Sequence, residues 1–198
     1  MTTAIPDAAT SAEHPIRRIG GRTVLENRFI RVETDDVVFP NGDPGSYSVI
    51  TSGTGMGVIV IPFANIHGQP HLGLVKQYRY PVKEFTLEFP RGGSKDLSLS
   101  EAARELVEET GLVVGSATQL GTIWPDTGIL NTEVAVWKTS HDVQGLKLSH
   151  VEGETGGSFH WYSHGEIIGL MRQGQIRCGM TLAALALIEG MGALQVPG

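Results

Sequence analysis

The chain is predicted to be α+β or an α/β/α sandwich of mixed strands and helices, with a region of strands alone at its start. Three observations carry that prediction. Residues 16 to about 61 read as short strands; later strands alternate with three helices that carry start and stop signals; and no internal repeat or long linker divides the span. Elements that follow one another so closely are expected to share one layered core. We place a mobile tail at residues 1–15, an N-terminal strand region at 16–57 and the main domain at 58–198.

The strands are read in order. "RTVLENRFIRVETDDVVFPNG" alternates apolar and polar residues and ends on an Asn-Gly turn signal. "GMGVIVIPF" is a continuous apolar run, the pattern of a strand buried on both faces. "HLGLVKQYRYPVKEFTLEFPRGG" holds two strand-like pieces separated by Pro81. "LGTIWPDTGILNTEVAVWKTS" gives a strand, a proline-glycine loop and an alternating strand. In "GSFHWYS", Phe159 and Trp161 fall on one side.

The helices are bounded by their caps. The first runs from Leu99 to Thr110, with Ser98 and Glu101 at capping-box spacing and Gly111 as a left-handed stop. "SHGEIIGLMRQG" repeats this grammar with Ser163, Glu166 and Gly174. The third, "TLAALALIEGMG", is rich in alanine and leucine and is expected to pack on the core.

Composition narrows the function. A formal net charge of −6 argues against broad electrostatic binding of nucleic acid. No apolar run reaches the roughly 20 residues that span a bilayer, and "MTTAIPDAATSAEHP" lacks the order of a secretory signal. Cys178 is the single cysteine, so no intrachain disulfide or cysteine-rich zinc site forms. A reducing cytoplasm fits this usage. The 7 histidines are scattered without metal-ligand spacing.

One stretch conflicts with local electrostatics. "RELVEETG" puts Glu105, Glu108 and Glu109 near the C-terminal end of a helix, where the dipole prefers cations. Pairs such as Glu101/Glu105 and Glu105/Glu109 each cost on the order of 0.2–0.5 kcal/mol, and Arg104 offsets this through Glu101 and Glu108. Ala103, Leu106, Val107 and Thr110 would form the core-facing side and leave the glutamates projecting together. The loop "EFPRGGSKD" feeds straight into this helix and can bring a backbone carbonyl beside the carboxylates. Carboxylates, a carbonyl and water make the oxygen shell that Mg²⁺ or Mn²⁺ prefers. Bound cations would neutralise the repulsion.

These residues carry a resemblance. "GGSKDLSLSEAARELVEETGL", residues 92–112, resembles the signature of the Nudix hydrolases, whose loop–helix–loop holds the cations that activate diphosphate substrates. Its second half matches at Arg104, Glu105, Leu106, Glu108, Glu109, Gly111 and Leu112. The first half departs, with a loop two residues shorter than usual before Asp96. "VKQYRYPV" with "LEFPRG", and the tail "GQIRCGMTLAALAL", resemble the ADP-ribose pyrophosphatase-like subfamily.

The resemblance implies the Nudix fold and a metal-dependent pyrophosphohydrolase that cleaves a nucleoside diphosphate derivative, with ADP-ribose the first expectation. Two alternatives stand beside it: a sugar nucleotide such as GDP-mannose, and a catalytically silent sensor of ADP-ribose or NAD-related ligands. It also implies two or three Mg²⁺ or Mn²⁺ ions, and a homodimer whose N-terminal strands help build the partner's site. By the same resemblance Glu105 and Glu109 are metal ligands, Glu108 is a ligand or water-orienting carboxylate, and Arg91 supplies a backbone carbonyl. Arg104 holds the glutamates in place. The general base is assigned to Glu154 or Glu152 in "SHVEGETGG", where glycines permit movement. Arg79 is the candidate to grip the diphosphate, since a guanidinium fork matches phosphate oxygens. Tyr80 or Phe85 would stack on a base, although an aromatic in a strand is more often core. Glu88 is placed at the metal shell or a ribose hydroxyl, and Glu133 at the terminal ribose.

Overall fold

A computed structural model describes residues 14–143 and 157–194. Three strands, β1 (Arg17–Glu26), β2 (Ile30–Val38) and β3 (Pro44–Ser52), form an antiparallel sheet of their own. The predicted Asn-Gly turn lies between the last two, with Gly42 at φ 88°.

A seven-stranded mixed sheet forms the centre, in the order β10-β5-β4-β9-β8 with β6 and β7 branching from β5 and β4. These are β4 (Met56–Ile66), β5 (Gln69–Arg79), β6 (Glu84–Glu88), β7 (Arg91–Gly93), β8 (Ser116–Ile123), β9 (Glu133–His141) and β10 (Ser158–Ser163). Strand β4 is parallel to β9 on one edge. On its other edge it pairs with β5 from Phe63 to Ile66, and with β7 from Gly57 to Ile59. Meanwhile β5 passes the edge it shared with β4 to β6, from Val75↔Glu88 to Arg79↔Glu84. The two central strands therefore splay apart, and the segment from β6 through Phe89 and Pro90 to β7 bridges the opening.

Alternation along β4 sorts the core into two layers. Val58 and Val60 face α1 (Leu99–Thr110), packing with Ala102, Leu106, Val75 and Phe159. Ile59, Ile61 and Phe63 face α2 (His164–Arg172) and α3 (Gly179–Gly190), meeting Ile167, Ala184, Leu185 and Ile188. Helices cover both faces of one sheet, the expected α/β/α sandwich. Among the described residues no helix is long and apolar enough to cross a membrane.

The N-terminal sheet is tied on through the predicted proline-glycine loop. Ile50 N–H donates to the Ile129 carbonyl at 2.9 Å, and Asn131 N–H returns a bond to Ile50 at 2.9 Å. Its faces stay largely open: Ile19, Val24, Leu25, Phe29 and Tyr47 are exposed apolar side chains.

Two details of α1 correct the expectation. The buried side consists of Ala102, Glu105, Leu106 and Thr110, whereas Val107 is exposed and Ala103 only half-buried. The helix is rotated so that one glutamate of the cluster points inward. The capping box at Ser98 is also absent. The Ser98 hydroxyl pairs with Ser100, while Glu101 accepts from Lys95 N–H at 3.3 Å and from Arg104 at 3.1 Å. The stop is as expected, with Gly111 at φ 71° donating to the Val107 carbonyl.

Candidate active site

The site forms where the splay of β4 and β5 meets the C-terminal half of α1. Strand β7 links the two. Ladder bonds run from Val60 N–H to the Pro90 carbonyl and from Ser94 N–H to the Met56 carbonyl. The intervening Arg91 and Gly93 are out of phase and turn their peptide groups away from β4. Arg91 N–H bonds the Glu109 carboxylate. Its carbonyl, on the same edge of the strand, faces the same side. The Gly93 carbonyl accepts from Arg104 Nη2 at 3.0 Å.

Gly92 sits between them under Glu105. A Cβ at that position would collide with the Glu105 carboxylate, so only glycine lets the carboxylate lie on the backbone here. Glu105 is 8% exposed. Burial, followed by the neighbouring glutamates, raises its pKa against the pull of Arg104.

Arg104 gathers three glutamates of α1 and one carbonyl of β7. It donates to Glu105 at 2.8 Å and to Glu108 at 2.9 Å, besides Glu101 and Gly93. The repulsion along α1 is thus relieved in part by this one guanidinium. Glu108 is turned out to meet it, its side chain 56% exposed.

Glu109 differs. Its Oε2 is buried and has no hydrogen-bond partner among the described residues. Burial, then the charge of Glu105, pushes its pKa up to about 7 despite the Arg91 N–H and the nearby arginines. A buried unpartnered carboxylate oxygen beside a second buried carboxylate is the donor set that a hard cation satisfies. Glu105, Glu109 and the Arg91 carbonyl fit such an ion. Among the described residues no group of three or more Asp, Glu, His or Cys side chains converges on a common point; Glu108 is the member held apart.

Across the cleft the charges are reversed. Glu88 is 2% exposed and receives Arg79, Arg91 and Thr86. Burial opposes its ionisation, but the Arg79 hydrogen bonds and the Arg91 charge win and lower its pKa to about 2. Its oxygens are fully engaged by these partners, which does not fit the expected contact with a metal shell or a ribose hydroxyl.

Arg79, Glu88 and Arg91 line a cavity of about 370 Å³ together with Phe85, Arg177 and Cys178. Phe85 is 57% exposed, edge-on to Tyr78 at 5.5 Å between ring centroids. It is a wall of the cavity and not core. Tyr80, 77% exposed, lies in the turn before β6 and does not line it. Glu133, the first residue of β9, lines a second cavity with Trp124 and Leu130. Glu152 and Glu154, like most of the expected tail, lie outside the described residues.

Sequence reading missed the Arg91 side chain, Thr86, Arg177 and the cavity position of Cys178. Only the Arg91 to Glu88 spacing offered a local signal. The rest depends on strand register and on the approach to α3, where Phe89 N–H donates to the Thr181 hydroxyl at 3.2 Å.

An acidic helix laid over a splayed mixed sheet, with an arginine-rich cleft beside it, is an arrangement with a counterpart among solved structures. The crystal structure of an ADP compounds hydrolase superposes with a TM-score of 0.73 at 21% identity, covering 92% of this chain and 99% of that one. The family model for the nucleoside diphosphate sugar hydrolase N-terminal domain matches residues 16–50. An uncharacterized Nudix hydrolase of Schizosaccharomyces pombe is 33% identical over 81 residues, 40% of this chain and 40% of that protein. The methanol dehydrogenase activator of Bacillus methanolicus is 31% identical over 91 residues, 44% of this chain and 46% of that protein. The chain thus spans less than half the length of these two curated relatives. The likeness to the ADP compounds hydrolase is one of fold, and the two curated matches are similarities over part of each chain.

Proposed function

We propose that the protein is a divalent-metal-dependent pyrophosphohydrolase that cleaves the diphosphate of a nucleoside diphosphate derivative, with ADP-ribose as the first substrate to test. The observation that carries this reading is the buried Glu109 Oε2, unpartnered among the described residues, beside Glu105. It lies next to a cleft whose free positive charge suits a diphosphate.

Glu105, Glu109 and the Arg91 carbonyl would hold Mg²⁺ or Mn²⁺, with Glu108 joining on release from Arg104. When bound, such ions screen the diphosphate charge and lower the pKa of a coordinated water. Arg104 fixes the glutamates, and Arg79 grips the diphosphate through the N–H groups that Glu88 leaves free. Water attacks one phosphorus and the phosphoanhydride bond breaks. From ADP-ribose the products are AMP and ribose 5-phosphate. The proton of the attacking water goes to Glu154 or Glu152. Phe85 is the favoured stacking residue over Tyr80, because it lines the cavity. Glu133 is assigned to the distal sugar through its separate cavity.

The open apolar faces of β1–β3 support a homodimer built through residues 16–57, with the tail outside it and residues 58–198 as the hydrolase domain. Cytoplasmic placement, two or three ions and the absence of nucleic-acid partners belong to the same reading.

A second substrate reading, a nucleoside diphosphate sugar such as GDP-mannose, is favoured by the family match at residues 16–50. The test is a panel of ADP-ribose, GDP-mannose and related nucleoside diphosphates incubated with Mg²⁺ or Mn²⁺, with products resolved by chromatography. Hydrolysis of one class that stops on chelation is the expected result. Turnover undiminished in excess EDTA, or none across the panel with either metal, would defeat the proposal.

A further inference from the structure

The Glu88 carboxylate has room for about four hydrogen bonds, and the structure fills that room. Oε1 receives Arg79 Nε at 3.1 Å and Thr86 Oγ1 at 2.7 Å; Oε2 receives Arg79 Nη2 at 2.7 Å and Arg91 Nε at 2.8 Å. With 2% exposure, no lone pair is left for a ligand.

The two arginines are not used up in the same way. A guanidinium carries five N–H groups; Arg79 directs Nε and Nη2 to Glu88, and Arg91 directs only Nε. Both side chains keep partial exposure, 30% and 27%, and both line the same cavity of about 370 Å³. One carboxylate against two guanidiniums leaves an excess positive charge there, in a chain of net charge −6.

We infer that Glu88 is a positioning residue that braces Arg79 and Arg91 into a two-guanidinium seat for a phosphate group, with Arg91 a substrate-binding residue through its side chain. The inference rests on the reading that this cleft takes a nucleoside diphosphate, and it adds the residue and the geometry that select the anion. Two forks anchored on one carboxylate present donors from two directions. A tetrahedral phosphate can accept both, whereas one planar carboxylate fills a single fork. Arg91 also joins the two poles of the site: its N–H bonds Glu109 while its guanidinium bonds Glu88. A phosphate on the seat therefore lies beside the carboxylates that take the cations.

Binding without turnover separates this seat from the hydrolase reading. ADP and inorganic diphosphate are titrated by calorimetry in EDTA against the full chain and against Arg91→Ala, Arg91→Lys, Glu88→Gln and Glu109→Gln, each checked for native circular dichroism. The wild type should bind both probes. Arg91→Ala should weaken them about tenfold or more, the loss of charge-assisted hydrogen bonds. Arg91→Lys should recover only part, since an ammonium has no fork. Glu88→Gln, which stops bracing both forks, should weaken both probes, and Glu109→Gln should not weaken either. With an active substrate and metal, Arg91→Ala should raise KM more than it lowers kcat. Equal affinity of Arg91→Ala and wild type, or no wild-type binding under chelation, overturns the seat. Arg91-dependent binding with no hydrolysis of any panel member keeps the seat and defeats the hydrolase reading instead.

Discussion

Helices α1 and α2 are written in the same grammar, a serine, a glutamate three residues on, and a glycine past the end, but they fold by different rules. In α2 the capping box forms: the Ser163 hydroxyl accepts from Glu166 N–H, the Glu166 carboxylate accepts from Ser163 N–H at 2.7 Å, and Arg172 suits the last turn. In α1 the equivalent glutamate is drawn off to Arg104, the last turn has no basic residue, Glu105 enters the interior, and one oxygen of Glu109 is buried beside it. Helix α2 satisfies its cap and dipole preferences. Helix α1 gives up several at once, and such coincident violations are expected at functional sites.

The largest effect should come from the carboxylates themselves. Glu109→Gln and Glu105→Gln are each expected to cut turnover by about 10³-fold with the fold intact, the scale set by losing a group that stabilises transition-state charge. Glu108→Gln is expected to reduce turnover by orders of magnitude if Glu108 leaves Arg104 for the ions. Turnover measured at saturating Mg²⁺ checks all three. Near-wild-type turnover of Glu109→Gln would remove the functional reason for the strain in α1.

The next effect is on stability and runs the opposite way. Glu109 in the metal-free fold has its pKa raised from 4.5 to about 7, first by burial and then by Glu105. The fold therefore holds its proton more tightly than the unfolded chain does. Stability from this group is full below pH 4.5 and declines as pH rises through about 7, by at most about 3 kcal/mol. Glu88 has the opposite sign. Its pKa is lowered to about 2 against the opposing effect of burial, by the Arg79 hydrogen bonds and the Arg91 charge. Its contribution is present above pH 4.5 and lost as pH falls toward 2. Denaturant melts in EDTA should show Glu109→Gln stabilising the protein at pH 8 and having little effect at pH 4. Mg²⁺ should raise the midpoint of the wild type at pH 8 more than that of the variant. An inactive variant that is also more stable is the signature of strain kept for function.

Gly92→Ala probes the same strain from the other side. The new Cβ must displace the Glu105 carboxylate, costing about 1–3 kcal/mol as overpacking does. It should also weaken the response to Mg²⁺ in activity titrations. An unchanged Mg²⁺ dependence would mean that the seat of Glu105 on Gly92 is incidental.

The two poles of the site were unequally legible in the sequence. The fold could be read because its cues are local: the apolar run of β4 alternates between two cores, and Ser163, Gly111 and Gly174 stand at helix ends. The acidic pole was readable as a cluster because i,i+3 and i,i+4 spacing determines who meets whom on a helix. What spacing could not supply was the helix rotation, so Val107 was expected inside and Glu105 outside. At the arginine pole single residues such as Arg79, Glu88 and Phe85 could be named, but not their contacts with one another. Glu88 meets Arg79 only because β5 and β6 pair with Val75 opposite Glu88, and a register one residue away would turn these side chains to the other face. Phe85 looked like core for the same reason: its strand is at the rim of the splay, which no periodicity reports.

The smallest effect tests the comparison at its root. If α2 is held by its capping box, Ser163→Ala should cost about 1 kcal/mol, the usual value for a lost N-cap. Ser98→Ala occupies the same place in the grammar, yet the Ser98 hydroxyl caps no backbone N–H of α1 and instead pairs with Ser100 and the Asp96 carboxylate, both exposed. Its cost should be no more than a few tenths of a kcal/mol, the range of exposed substitutions away from special features. The turn that starts α1 is held instead by Asp96, which accepts Ser98 N–H at 2.9 Å. Asp96→Ala should therefore destabilise α1 more than Ser98→Ala does, reversing the order that the Ser-x-x-Glu pattern predicts. Denaturant midpoints for the three variants decide it. Equal losses at Ser98 and Ser163 would mean that α1 does carry a working cap, and that its glutamates are less constrained by Arg104 than the geometry indicates.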